Sequence, residues 1–208
     1  MKVSLIVVGV NEWEKHTEPF LDSLREHESD VECVVVDNGS HPVYELEKYD
    51  VIHARLGTTV CYAAALNYGA LMAGESDWYM FLNNDVLIHQ PFVHQFARLD
   101  KGIYYGFAEH LFNRSIPYLS GWNMVVSGDT WKKIGKFDEA LKPMYFEDAD
   151  YSIRCRNNGV KTKVEDRKEW GISHRESERK QERVSYMTKY AVARQKNRTY
   201  VMRKHGLT

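Results

Sequence analysis

Cysteine is scarce: only Cys33, Cys61 and Cys155 occur in a chain of 208 residues. The number is odd and the three lie far apart. That excludes a disulfide framework or a zinc cluster and reads as unpaired thiols of a reducing cytosol. Nothing beside any of them in sequence nominates an activated nucleophile. Long apolar runs are missing too. The longest, Val3 to Val10, is eight residues and leads into Asn11 and Glu12, whereas a bilayer span needs about 18–20. With one lysine ahead and no small-residue cleavage site behind, this run is a poor signal peptide and a good buried strand. No transmembrane segment is expected, and a cytoplasmic location is. Neither charge sign dominates, with 28 basic and 29 acidic side chains. A hydrophobic content of 43% with 27% charged residues excludes disorder, collagen and a coiled coil as the main state. The length suits one domain with a real core.

The near-neutral total conceals an asymmetry. Residues 1–160 carry 14 basic and 23 acidic side chains, and residues 161–208 carry 14 basic and 6 acidic. A basic terminal stretch can meet nucleic acid, an anionic surface or a phosphorylated ligand, or it can be a solvated helix face.

Along the first 100 residues strand and helix patterns alternate. Val3–Val8, Val31–Val36 and Trp78–Leu82 are short, continuous apolar runs of the kind buried in parallel sheets, with a weaker strand at Val51–Ala54. Thr17 and Pro19 start a helix carrying Phe20, Leu21 and Leu24 on one face. The Ala- and Leu-rich stretch Tyr62–Met72 reads as a second helix closing at Gly74, and Pro91 opens another. The fold class predicted is α/β, a mostly parallel sheet with helices on both faces. Beyond residue 100, Gly102–Phe107 and Tyr118–Val126 read as strands with irregular chain between them. Gly128–Ile134 and Glu147–Asn157 read as helices. Residues 178–208 form a basic, Tyr-bearing helical extension. The expected organisation is one domain, with residues 1–100 and 101–177 as its two halves.

In an open α/β sheet, ligands bind beyond the carboxyl ends of the strands. Three strands end there in polar groups: Gly9-Val10-Asn11-Glu12, Asp37-Asn38, and Asn83-Asn84-Asp85. Neither GxxxxGK[ST] nor GxGxxG follows the first strand. A nucleotide held here would need another way to bind its diphosphate. A divalent cation on the hard oxygen of Asp85 is the economical one. Phe146-Glu147-Asp148-Ala149-Asp150 sets three carboxylates within four residues. A helix N-terminus accounts for acids there. The aromatic residues just before them suggest a half-buried carboxylate suited to general base work. Trp170-Gly171-Ile172-Ser173-His174 offers an imidazole that can join Asp85 on Mn²⁺ or Mg²⁺.

Several runs, in this order, resemble glycosyltransferase family 2 enzymes of the GT-A fold. Val-Val-Asp-Asn-Gly-Ser at 35–40, Ala-Ala-Ala-Leu-Asn-Tyr-Gly at 63–69 and Phe-Leu-Asn-Asn-Asp at 81–85 resemble the family's donor half. Ser120-Gly121-Trp122, Ile134-Gly135-Lys136-Phe137-Asp138-Glu139 and Tyr145–Arg154 resemble its acceptor half. The tail, Arg194-Gln195-Lys196-Asn197-Arg198 with Arg203-Lys204-His205-Gly206, is most similar to bacterial-type rhamnosyltransferases of the family. Virus-encoded capsid glycosyltransferases are one setting for such a chain, and would put it in a host cytoplasm.

The resemblance implies residue roles. Asp37 matches the aspartate that reads the base. Gly9, Asn11 and Glu12 match the loop beside base and ribose, and Asn38 and Asn67 match donor-side positions. Asn83, Asn84 and Asp85 match the DxD-type motif, with Asp85 and His174 as metal ligands. Asp148 matches the catalytic base. Gly121, Trp122 and Glu147 match the acceptor side. The implied activity is inverting, metal-dependent transfer of a sugar from a UDP- or dTDP-sugar, such as UDP-glucose or dTDP-rhamnose, to a hydroxyl of a glycan or glycoprotein acceptor. Departures from the pattern are Asn83 and Asn84 in the DxD stretch, and Tyr62 where Gly-Phe is frequent. Three rivals are weighed. A sugar-nucleotide pyrophosphorylase lacks its Gly-rich basic loop here. A non-catalytic nucleotide- or glycan-binding module need not keep Asp85, Asp148 and His174 together. A nucleic-acid binder built on the tail is opposed by the acidic body, so no nucleic-acid partner is expected.

Overall fold

A computed structural model describes residues 1–175 and 188–207. Its centre is a seven-stranded sheet with the order β10-β6-β9-β4-β1-β2-β3. The strands are β1 (Val3–Gly9), β2 (Glu32–Asn38), β3 (Ile52–Leu56), β4 (Trp78–Asn83), β6 (Ile103–Gly106), β9 (Asn123–Ser127) and β10 (Lys161–Val164). The pairs β1–β2, β2–β3, β1–β4 and β6–β10 are parallel, while β9 runs antiparallel to both β4 and β6.

β1 is buried along its whole length because both sheet faces are covered. Val3, Leu5 and Val7 point to one layer with Phe20, Leu21 and Leu24 of α1 (Glu18–His27) and with Phe92, Phe96 and Trp170. Ile6 and Val8 point to the other. There they meet Ala63, Ala65, Leu66 and Ala70 of α2 (Tyr62–Ala73), Trp131 of α3 (Gly128–Ile134), and Tyr151 and Cys155 of α4 (Glu147–Asn157). A third cluster joins Phe112, Ala149 and Ile153 to Val201 of α5 (Ala191–Lys204). No helix among the described residues is long and apolar enough to cross a membrane.

The expected α/β class and both faces of helices are present. Four local readings change. Pro91 introduces only a 3₁₀ helix, Val93–Arg98. The stretch read as one strand over Tyr118–Val126 is two strands, β8 (Ile116–Leu119) and β9, broken at Ser120-Gly121-Trp122. The chain before it is not irregular but pairs as β7 (Glu109–Phe112) in a hairpin with β8. A small ribbon of β5 (Val86–Ile88) and β11 (Ile172–His174) was not foreseen. The C-terminal helix is seen over Ala191–Lys204, and the expected residues 178–187 and 208 lie outside the described ones.

The spacing of α2 from the sheet is set by Gly69. A Cβ there would lie 2.4 Å from Ile6 Cγ2 and 2.9 Å from Val36 Cγ2. Helix propensity favours alanine over glycine by about 1 kcal/mol, whereas overpacking a rigid contact costs about 1–3 kcal/mol. Packing wins here because both clashing methyls sit on fully buried central strands. Gly69→Ala is expected to lower stability in urea unfolding. A gain would show that α2 can lift off the sheet at little cost.

Candidate active site

The carboxyl ends of β1, β2 and β4 form one edge of the sheet, and the loops leaving them are laced together. Gly9 closes β1 where a Cβ would come within 2.5 Å of Tyr44 Oη and 2.9 Å of Thr17 Oγ1, so only glycine fits. Asn11 and Glu12 follow with φ of 54° and 50°. Two successive left-handed non-glycine residues carry strain of order 1–3 kcal/mol each, tolerated only where surroundings enforce them. Here Asn11 N donates to Ser40 Oγ (2.8 Å), His41 N to Asn11 Oδ1 (2.9 Å) and Tyr44 Oη to Asn11 O (2.7 Å). Glu12 is exposed, with Oε2 3.3 Å from His16 Nε2.

Asp37 is fully buried near the end of β2. It accepts from Ser40 N (2.8 Å), Tyr44 N (3.4 Å) and Arg55 Nη1 (3.2 Å). Arg55 is its register partner on β3 and was missed, because only strand pairing brings the two together. A carboxylate has about four lone-pair sites, so three bonds leave it one. The amides of Asn38 and Asn67 are engaged inside the chain. Asn38 clamps both backbone groups of Val60 (2.9 and 3.1 Å). Asn67 holds Phe137 N (2.9 Å), Phe137 O (3.0 Å) and Glu139 Oε1 (2.9 Å). These two side chains brace loops at the donor-side positions expected for them.

The β5–β11 ribbon creates the next part. Pairing of Val86 with His174 sets the imidazole beside the turn that carries Asp85, and Arg175 N donates to Asp85 O (3.0 Å). His174 Nε2 lies 3.2 Å from Asp85 Oδ1, with both side chains 9% exposed. The Trp122 ring stacks on the imidazole at 4.8 Å and 5°. Asn83 N donates to Trp122 O (3.0 Å). Tyr62 Oη donates to Asn83 Oδ1 (2.9 Å), which turns the Asn83 Nδ2 toward the same His174 Nε2 (3.4 Å). One ring nitrogen cannot accept from that amide and donate to that carboxylate together. A carboxylate oxygen and an imidazole nitrogen 3.2 Å apart are donors of the types that a divalent ion such as Mn²⁺ takes. No group of three or more such ligands exists among the described residues. Two protein ligands are the number expected where a substrate diphosphate and water complete the shell. Asn84 is turned away: its Nδ2 donates to Thr17 Oγ1 (2.9 Å) and ties this turn to the first loop.

Asp148 enters from the first turn of α4. Its Oδ2 accepts from Gly121 N (2.9 Å) and its Oδ1 from Ala149 N (2.8 Å). A Cβ on Gly121 would stand 3.2 Å from that Oδ2. Gly121 therefore bonds Asp148 while its neighbour Trp122 stacks on His174. Consecutive Cα atoms are about 3.8 Å apart, so one dipeptide bridges the candidate base and the candidate metal pair. Tyr145 and Phe146, just before α4, have φ of 79° and 72°, a second strained pair beside the chemistry. Burial raises the Asp148 carboxyl above the usual range, opposed by its two backbone N–H bonds. Glu147 is buried, its Oε2 meets no partner among the described residues, and burial followed by the Asp148 charge pushes it up to about 8. The third acid of the cluster, Asp150, serves the fold: it pairs with Arg154 (2.8 Å), Lys204 (2.7 Å) and His205 (2.8 Å).

Glu147 binds its proton more tightly in the folded chain than in the unfolded one. Stability is therefore full below the ordinary value of 4.5 and falls as pH rises toward about 8. The slope in that window is on the order of 1 kcal/mol per pH unit. Glu147→Gln should flatten the profile, stabilising the chain above the window and not below it. Urea unfolding across that range reads the difference, and an unchanged slope would exclude Glu147 as its source.

The fold has known counterparts. S. aureus TarS superposes with a TM-score of 0.60 at 20% identity over 80% of this chain and 35% of its own. GalNAc-T7, crystallised with UDP, GalNAc and Mn²⁺, gives 0.67 at 13% identity over 78% of this chain and 42% of its own. The mannosyltransferase PcManGT from Pyrobaculum calidifontis, in complex with GDP-Man and Mn²⁺, gives 0.58 at 18% identity over 79% and 55%. The chain thus spans about a third to just over half of these proteins. These are GT-A folds, and the sheet with its helices on both faces is the same architecture. No curated protein matches the chain. The family model of glycosyl transferase family 2 matches residues 4–107, from β1 through β6, which carry the strand-end residues from Gly9 to Asp85. The chain belongs to glycosyl transferase family 2.

Proposed function

We propose that the chain is an inverting, metal-dependent glycosyltransferase that moves a sugar from a UDP- or dTDP-sugar to an acceptor hydroxyl. The observation that carries this reading is the Gly121-Trp122 bridge, which joins Asp148 to the Asp85–His174 pair. Residues 1–100 form the donor half in this reading, and residues 101–177 the acceptor half.

Asp85 and His174 would hold Mn²⁺ or Mg²⁺. Such an ion, when bound, supplies stabilisation of negative charge on the leaving diphosphate. Asp37 orients the base: its remaining lone pair suits a ring N–H, and Arg55 Nη1 holds its Oδ2 at 3.2 Å. Gly9 lets the backbone come close to the nucleotide. Asp148 takes the proton of the acceptor hydroxyl. As it does so, that oxygen forms its bond to the anomeric carbon and the bond from that carbon to the diphosphate breaks. The carboxyl is suited to this task because burial raises its proton affinity while Gly121 N keeps one oxygen oriented. One such displacement inverts the anomeric centre.

A transfer assay with UDP- and dTDP-sugars, run beside calorimetric titration of UDP and dTDP, tests the reading. Asp148→Asn should lower transfer by about 10²–10⁴-fold, the usual worth of general base catalysis, and leave nucleotide affinity unchanged. Asp85→Ala should abolish the Mn²⁺ dependence of nucleotide binding. Equal loss of binding and transfer in Asp148→Asn would remove Asp148 from the base role. Nucleotide binding without transfer in the wild-type chain would favour the non-catalytic module.

A further inference from the structure

The cations around α4 and α5 are mostly consumed by the fold. Arg154 donates to Asp150 and to the carbonyls of Ile134 and Lys136. Arg198 Nε donates to Asn113 Oδ1 (2.9 Å), and Lys204 pairs with Asp138 and Asp150. Arg194, in the first turn of α5, is different. Its guanidinium lies 5.0 Å from the centre of the Tyr145 ring. Its Nε is shielded from solvent and has no hydrogen-bond partner among the described residues. Glu147 Oε2 likewise has no hydrogen-bond partner among the described residues, so the neighbouring acid does not take up that N–H.

The location is specific. One turn along α5, Asn197 Nδ2 donates to the carbonyls of Met144 (2.9 Å) and Tyr145 (3.3 Å), which anchors this helix face on the strained segment before Asp148. Half-buried Tyr118 of β8 packs on the apolar cluster that joins Ala149 of α4 to Val201 of α5, as Phe146 does. A shielded guanidinium N–H without an acceptor is costly. A planar fork stacked on an aromatic ring beside a candidate base is suited to a planar or tetrahedral anion.

We propose that Arg194, with the rings of Tyr145 and Tyr118, forms an acceptor subsite for a hydroxyl compound bearing an anionic oxygen group, a carboxylate or a phosphate. The inference rests on the reading of Asp148 as the base, because only then does the acceptor enter on this side. The anion sits on the Arg194 fork and the attacking hydroxyl of the same molecule reaches Asp148. The positive balance of the terminal 48 residues, 14 basic against 6 acidic, favours such an acceptor over a neutral one.

The test is a ligand-observed NMR titration of the full chain with three matched probes: methyl glucoside, methyl glucuronide and methyl glucoside 6-phosphate. Each is measured with and without UDP and Mn²⁺. At least one charged probe is expected to bind about tenfold tighter than the glucoside, the worth of one charge-assisted contact, and the preferred probe separates carboxylate from phosphate. Arg194→Gln should reduce the charged probes to the level of the glucoside with an unchanged unfolding midpoint. Arg194→Lys, which keeps charge but not the fork, should retain part of the preference and decides the matter if the Gln variant does not fold. Absence of any charge preference, or a preference that survives Arg194→Gln, overturns the proposal. UDP affinity in the same samples reports on the donor site alone. Its absence would overturn the donor reading, while the probes without nucleotide still judge Arg194.

Discussion

The candidate site depends on one reversed strand. β9 runs antiparallel to β4, with Leu82 opposite Asn123 and Asn83 N bonded to Trp122 O. In an otherwise parallel sheet this places the entry of β9 beside the exit of β4, at the edge where ligands bind. The short loop 120–122 therefore arrives at the carboxyl ends of β1, β2 and β4. From there it reaches Asp148 through a backbone N–H and His174 through an aromatic face. A parallel β9 would have sent that loop to the opposite edge.

The same constraint sorts the acidic cluster. Successive residues of a helix are turned by about 100°, so Glu147, Asp148 and Asp150 face different surroundings. Asp150 meets Arg154, Lys204 and the His205 ring and is structural. Asp148 meets two backbone N–H groups and the loop. Glu147 is buried with an oxygen that meets no partner among the described residues, and keeps its proton into the neutral range. Three neighbouring carboxylates coexist because one is neutralised by cations, one is held by dipoles and one is protonated. The strained Tyr145-Phe146 pair that presents them is braced from outside by Asn197 of α5, so the basic C-terminal helix belongs to the architecture around Asp148.

Much of the first 100 residues was legible in the sequence. β1, β2 and β4 are continuous apolar runs ended by polar residues, and α1 and α2 carry a proline near the start and a glycine at the end respectively. Those patterns are local, and local patterns survive in one dimension. What failed to show was non-local or short. β5 and β11 are three residues each and exist only because they pair with one another. The hairpin of β7 and β8 is mostly half-exposed, so its apolar alternation is faint. Asn38 and Asn67 read the same in sequence whether an amide faces a ligand or clamps a loop, and here they clamp loops. Arg55 and Tyr62 carry no motif, and they matter through Asp37 and Asn83 alone.

The sequence by itself determined the fold class and the polar strand ends, and it nominated Asp37, Asp85, Asp148 and His174 as candidate site groups. Hydrophobic periodicity and residue type are written in the chain order. Tertiary structure alone decided which of these groups meet. His174 reaches Asp85 through the β5–β11 pairing, and Asp148 joins them through a loop whose position is set by strand direction. Burial, the property that moves the Asp148 and Glu147 protons, is likewise a property of the packed layers, because the desolvation of a carboxylate depends on what surrounds it in space.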